Sequence, residues 1–113
     1  MKRKLLGYAA VDSGQLIIVD PCYLSEWKDG EAFDASKDGD EKYLDNHYSQ
    51  CCKVTLENKN QGGEVLVSGV GGRGVVATSG YGDGSYPVYA EYENTGSESE
   101  PDIRIKSLTI EFL

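Results

Sequence analysis

A single histidine, a single tryptophan and only two phenylalanines occur in 113 residues, and no aliphatic run is longer than the four of Leu16–Val19. A bilayer-crossing helix needs about 20 consecutive apolar residues, so no membrane partner is expected. The basic start Lys2-Arg3-Lys4 leads into no apolar segment of export-signal length, and the expected location is the cytoplasm. Cysteine is also sparse: Cys22, Cys51 and Cys52 give an odd count with no C-x-x-C pair. That spacing disfavours both a disulfide framework and a zinc site, so free thiols and no cofactor are expected. Positive charge is scarce as well. Eleven Lys and Arg stand against 19 Asp and Glu, for a formal charge of −8. A polyanion would be repelled over most of such a surface, so no nucleic-acid partner is expected.

What is present is tyrosine, glycine and alternation. Eight tyrosines and 14 glycines punctuate short segments of period-2 pattern, the signature of strands and turns. The length fits one domain, residues 1–113. Leu5–Val11 and Gln15–Val19 flank Asp12-Ser13-Gly14 and read as a hairpin. Asp20-Pro21 ends the second of these strands, because proline has no N–H for a ladder. Residues 22–49 then turn polar, with eight acids against three lysines, and Trp27, Phe33, Tyr43, Leu44 and Tyr48 as scattered anchors. One helical turn capped by Ser25 and a second over 41–48 capped by Asp40 are expected within this excursion, which has the length of a segment that covers a cleft. Gln50–Leu56 alternates again and reads as a strand with Cys52 facing inward. Glu64–Ser68, Arg73–Ser79, Tyr86–Tyr92 and Ile103–Leu113 complete the series. Ile103 and Ile105 differ in parity from Leu108, Ile110 and Phe112, which predicts a β-bulge near Lys106-Ser107. The expected fold is mainly β: a small antiparallel barrel or sandwich of six to seven strands, with one or two short helical turns inserted after strand 2.

Three stretches carry candidate chemistry. Gly69-Val70-Gly71-Gly72-Arg73-Gly74 matches G-x-G-x-x-G but runs into strand sequence where a dinucleotide fold needs a helix, so a hairpin turn is favoured over an anion nest using Arg73. Asp20-Pro21-Cys22-Tyr23 sets an acid and a thiol at a strand end. Gly80-Tyr81-Gly82-Asp83-Gly84-Ser85-Tyr86-Pro87 holds Asp83 in glycine-rich backbone, either as a turn lock or as a ligand acceptor. The ligand-binding candidates are therefore Asp20, Cys22, Tyr23, Arg73, Tyr81, Asp83 and Tyr86, with Asp20 and Asp83 sharing one rim. Asp38-Gly39-Asp40-Glu41 lacks the acid pattern of a calcium loop and reads as solvated.

With its Asp-Ser-Gly, Asp-Pro-Cys-Tyr and Gly-Tyr-Gly-Asp-Gly-Ser-Tyr-Pro-Val-Tyr segments in this order, the chain resembles a group of small uncharacterised bacterial and phage proteins. Its closing half is similar to the end of a larger bacterial domain family of unknown function. The resemblance implies a phage or bacterial origin and names no reaction. The function expected from the residues is that of a non-enzymatic binding or accessory protein with a concave site for a small polar ligand or a host protein. The alternatives are a hydrolase using Asp20 and Asp83 with Cys22 or His47, and an acidic mimic of DNA.

Overall fold

The structure, a computed structural model, describes residues 3–32 and 46–113. Phe33, Tyr43, Leu44, the expected helical turn at 41–48 up to Asp45, and the Asp38–Glu41 loop lie outside the described residues. Six strands are described: β1 (Lys4–Val11), β2 (Gln15–Ile18), β3 (Gly62–Ser68), β4 (Gly72–Thr78), β5 (Gly84–Asn94) and β6 (Ile103–Ile110). A 3-10 helix (Pro21–Glu26) follows β2, and the helix α1 (His47–Glu57) precedes β3. The strands form two separate three-stranded antiparallel sheets, β1-β5-β6 and β2-β4-β3, and no closed barrel. The chain divides into two compact units: Met1–Gly14 with Ser79–Leu113, and Gln15–Thr78.

In the first unit β5 is the central strand. Ala90 is fully buried there, opposite Lys4 on one side and Leu108 on the other. The expected β5–β6 hairpin is present, and its pairing jumps from Glu91↔Ser107 to Tyr92↔Ile105, leaving Lys106 unmatched. That is the bulge required by the parity break, and it restores Ile105 and Leu108 to a common face.

The second unit packs α1 on one face of its sheet. Cys51, Val65, Val67 and Val76 form the core, joined by Ile17, Val19, Tyr23, Trp27 and Val54. Ile17 stands opposite Val76, and Val65 opposite Gly74, so one parity faces the helix. The other parity carries Leu16, Ile18, Glu64, Leu66, Arg73 and Val75 on the sheet's far face.

Three expectations are corrected. Residues 5–11 and 15–18 do not pair with each other: β1 pairs with β5 and β2 with β4, because the Asp12-Ser13-Gly14 turn redirects the chain from one sheet into the other. Gln50–Leu56 is helix, not strand. Cys51, Val54 and Thr55 share a helical face as well as Cys52, Val54 and Leu56 share an extended one, and Asn46 supplies the cap by accepting from the Ser49 N–H at 2.7 Å. Consequently Cys51, not Cys52, is buried, and Leu56 is 70% exposed. The first helical turn starts earlier than Ser25, at Pro21, with Asp20 as its cap.

Candidate functional site

Asp20, Cys22, Tyr23 and Arg73 belong to the second unit, and Tyr81, Asp83 and Tyr86 to the first. At the start of the 3-10 helix, the Asp20 carboxylate accepts from the Cys22 N–H at 3.0 Å. Pro21 suits the first helical position because its missing N–H would have no partner there. The Cys22 thiol also donates to this carboxylate. These bonds hold Asp20 below the usual carboxylate range, the backbone N–H contributing most. The thiol is pushed above its ordinary value, chiefly by the same hydrogen bond. A nucleophilic cysteine needs the opposite shift, so this exposed thiol is held in its unreactive form. Tyr23 packs against the core of its unit.

His47 sits at the first position of α1 and is bound into the backbone. Its Nδ1 accepts from the Lys28 N–H at 2.7 Å, its own N–H donates to the Lys28 carbonyl at 2.8 Å, and its ring lies 5.2 Å from that of Trp27. The nitrogen occupied in this way is not available to take a proton from a nucleophile. Gly69–Gly72 forms the β3–β4 turn, with Gly69 at φ 56°, and Arg73 ion-pairs with Glu64 at 3.1 Å on the exposed face.

In the first unit the glycine-rich segment is a braced turn. Asp83 Oδ1 accepts from the Gly14 N–H at 2.9 Å, while the Gly82 carbonyl accepts from the hydroxyls of Ser79 and Tyr86. Gly82 has φ 115°, a conformation that side chains rarely adopt. Tyr86 stacks edge-on against Phe112 at 5.2 Å, whereas Tyr81 projects from the turn at 95% exposure.

Two concavities among the described residues are not built from these side chains. The larger, about 380 Å³, is a groove in the second unit lined by Gln50, Lys53 and Val54 of α1 and by Glu64, Val65 and Leu66 of β3. A hollow of about 230 Å³ in the first unit is lined by Glu91, Tyr92, Glu93, Asn94 and Lys106, at the bulge. The groove was not visible in the sequence because it exists only when residues 47–57 are helical. The available signals were Asn46 as a cap and the spacing of Cys51, Val54 and Thr55.

Among the described residues no three His, Cys, Asp or Glu side chains are grouped to hold a metal ion, and no helix is long and apolar enough to cross a membrane. No curated protein and no solved structure matches the chain. A domain family described as a protein of unknown function, DUF4241, matches residues 3–98, from β1 through the start of the β5–β6 turn, and the chain belongs to that family.

Proposed function

We propose that this protein is a non-catalytic binding module, a phage or bacterial accessory protein acting in the cytoplasm, that takes an extended segment of a host protein along β3. The observation that carries this reading is the composition of the groove: one wall is a helix face, and the other is three successive residues of a strand at the sheet's edge. Every second residue of an edge strand turns its N–H and C=O away from its neighbour, so a bound segment gains main-chain hydrogen bonds there. Val54, Val65 and Leu66 supply an apolar wall for alternate side chains, and Glu64 with Lys53 supplies charge at the rim. A volume of about 380 Å³ accommodates a few side chains of such a segment. The protonated Cys22, the bonded His47 Nδ1 and the engaged Asp83 carboxylate favour binding over hydrolysis.

Selection of a random displayed-peptide library on the intact chain tests the reading, followed by titration of the isotope-labelled protein with the selected peptides. The expected outcome is enrichment of alternating β-branched residues, with amide shifts concentrated at 50–54 and 62–68. Failure to enrich any sequence, or shifts confined to the first unit, overturns it.

A further inference from the structure

We propose that the face of the β2-β4-β3 sheet opposite α1 is a self-association surface, on which a second copy of this chain docks face to face. The cross-strand register places Ile18, Val75 and Glu64 in one row, with Arg73 and Leu66 paired in the next. Ile18 is 57% exposed, Val75 51% and Leu66 49%, so three aliphatic side chains form a band across all three strands. Together they leave on the order of 250 Å² of aliphatic surface in water, just under the roughly 300–600 Å² of the largest patch on a typical monomer.

The charges beside this band select the occupant. The whole chain carries −8, yet among the described residues the strands offer this face one acid and one base, Glu64 and Arg73, side by side at 3.1 Å. A two-fold axis through the face brings Arg73 of each copy to Glu64 of the other, and the apolar band onto itself, as an isologous interface requires. A uniformly acidic or basic partner finds no net charge here to match. The area is well below the roughly 800 Å² per partner of a stable dimer, so association is weak and concentration-dependent. Net repulsion between the copies makes it stronger as salt rises, because screening acts on the distant charges more than on the contact.

Sedimentation equilibrium of the full chain from about 10 µM to about 1 mM provides the test. The weight-average mass is expected to rise from 12.3 kDa toward twice that value, and several-fold more steeply at high salt. Arg73→Glu places two acids opposite two acids and is expected to weaken association at least tenfold. The double swap Arg73→Glu with Glu64→Arg restores the complementary pattern and is expected to recover it. Val75→Lys, at an exposed position, is expected to abolish association while the far-ultraviolet spectrum stays unchanged. A chain that remains monomeric throughout overturns the proposal, as does a double swap no better than the single change, or a Val75→Lys protein that associates like the parent. Methyl shifts of Ile18 and Val75, which lie outside the groove, on adding displayed peptides to a monomeric chain would give the face to another protein and overturn it too.

Discussion

Asp83 and Gly14, 69 positions apart, are joined by a hydrogen bond of 2.9 Å from the Gly14 N–H to the Asp83 carboxylate. The glycine-rich segment therefore works as a lock between the turn after β1 and the turn before β5. Asp83→Ala removes the acceptor and is expected to cost about 1 kcal/mol in a denaturant titration. Asp83→Asn keeps an oxygen in place and is expected to lose less than half of that. Equal losses for the two variants would mean that charge, not acceptance, holds the turn.

Burial pushes the Cys51 thiol up to about 11 from an ordinary value of 9.0. A folded value above the unfolded one means that the native state retains its proton longer. The stabilisation is complete below pH 9 and is lost as pH rises toward 11, at about 1.4 kcal/mol per pH unit across that window. Urea midpoints measured from pH 8 to pH 11 check this: the parent should fall with a slope that Cys51→Ala lacks.

Alkylation reports on Cys22. Its thiol donates to Asp20, which raises its pKa, so it should react with iodoacetamide at pH 8 more slowly than a free cysteine peptide. Asp20→Asn removes the charge that keeps the proton in place and should accelerate the reaction. An unchanged rate would place the thiol outside the carboxylate's influence.

Neighbouring valines on β4 should differ sharply. Val76 is 1% exposed and faces α1, whereas Val75 is 51% exposed on the far face. Val76→Ala leaves a cavity in the core and is expected to cost about 2 kcal/mol. Val75→Ala is expected to cost about 0.5 kcal/mol, because its methyl groups are already half in water. Thermal unfolding of the two variants distinguishes them.

These cases show which parts of the fold are legible in sequence. The bulge at Lys106 followed from parity alone, because a strand with a buried face cannot change parity without an extra residue. The β3–β4 and β5–β6 hairpins followed from glycine-rich or acidic turns between short alternating runs. The pairing of β1 with β5 did not, because turn chemistry at Asp12-Ser13-Gly14 reports that the chain bends and not which strand awaits it some 70 residues later. Helix α1 escaped because over seven residues the extended face of Gln50–Leu56 holds three apolar side chains, Cys52, Val54 and Leu56, against two, Cys51 and Val54, on the helical face beside Thr55. The groove escaped with it. Asp20 and Asp83 were legible as acids in constrained backbone, and each carboxylate accepts a backbone N–H of its own unit.

The Ser79 N–H donates to the Gly14 carbonyl at 3.1 Å, and Gln15 is the ladder partner of Thr78. The 64 residues from Gln15 to Thr78 thus begin and end at the same point. If this excursion folds first, β1 and β5 no longer have to find each other across a loop of about 70 residues but across the length of a tight turn. Loop closure then costs about 2 kcal/mol less by chain-entropy scaling, and the order of assembly becomes inner piece before outer ladder.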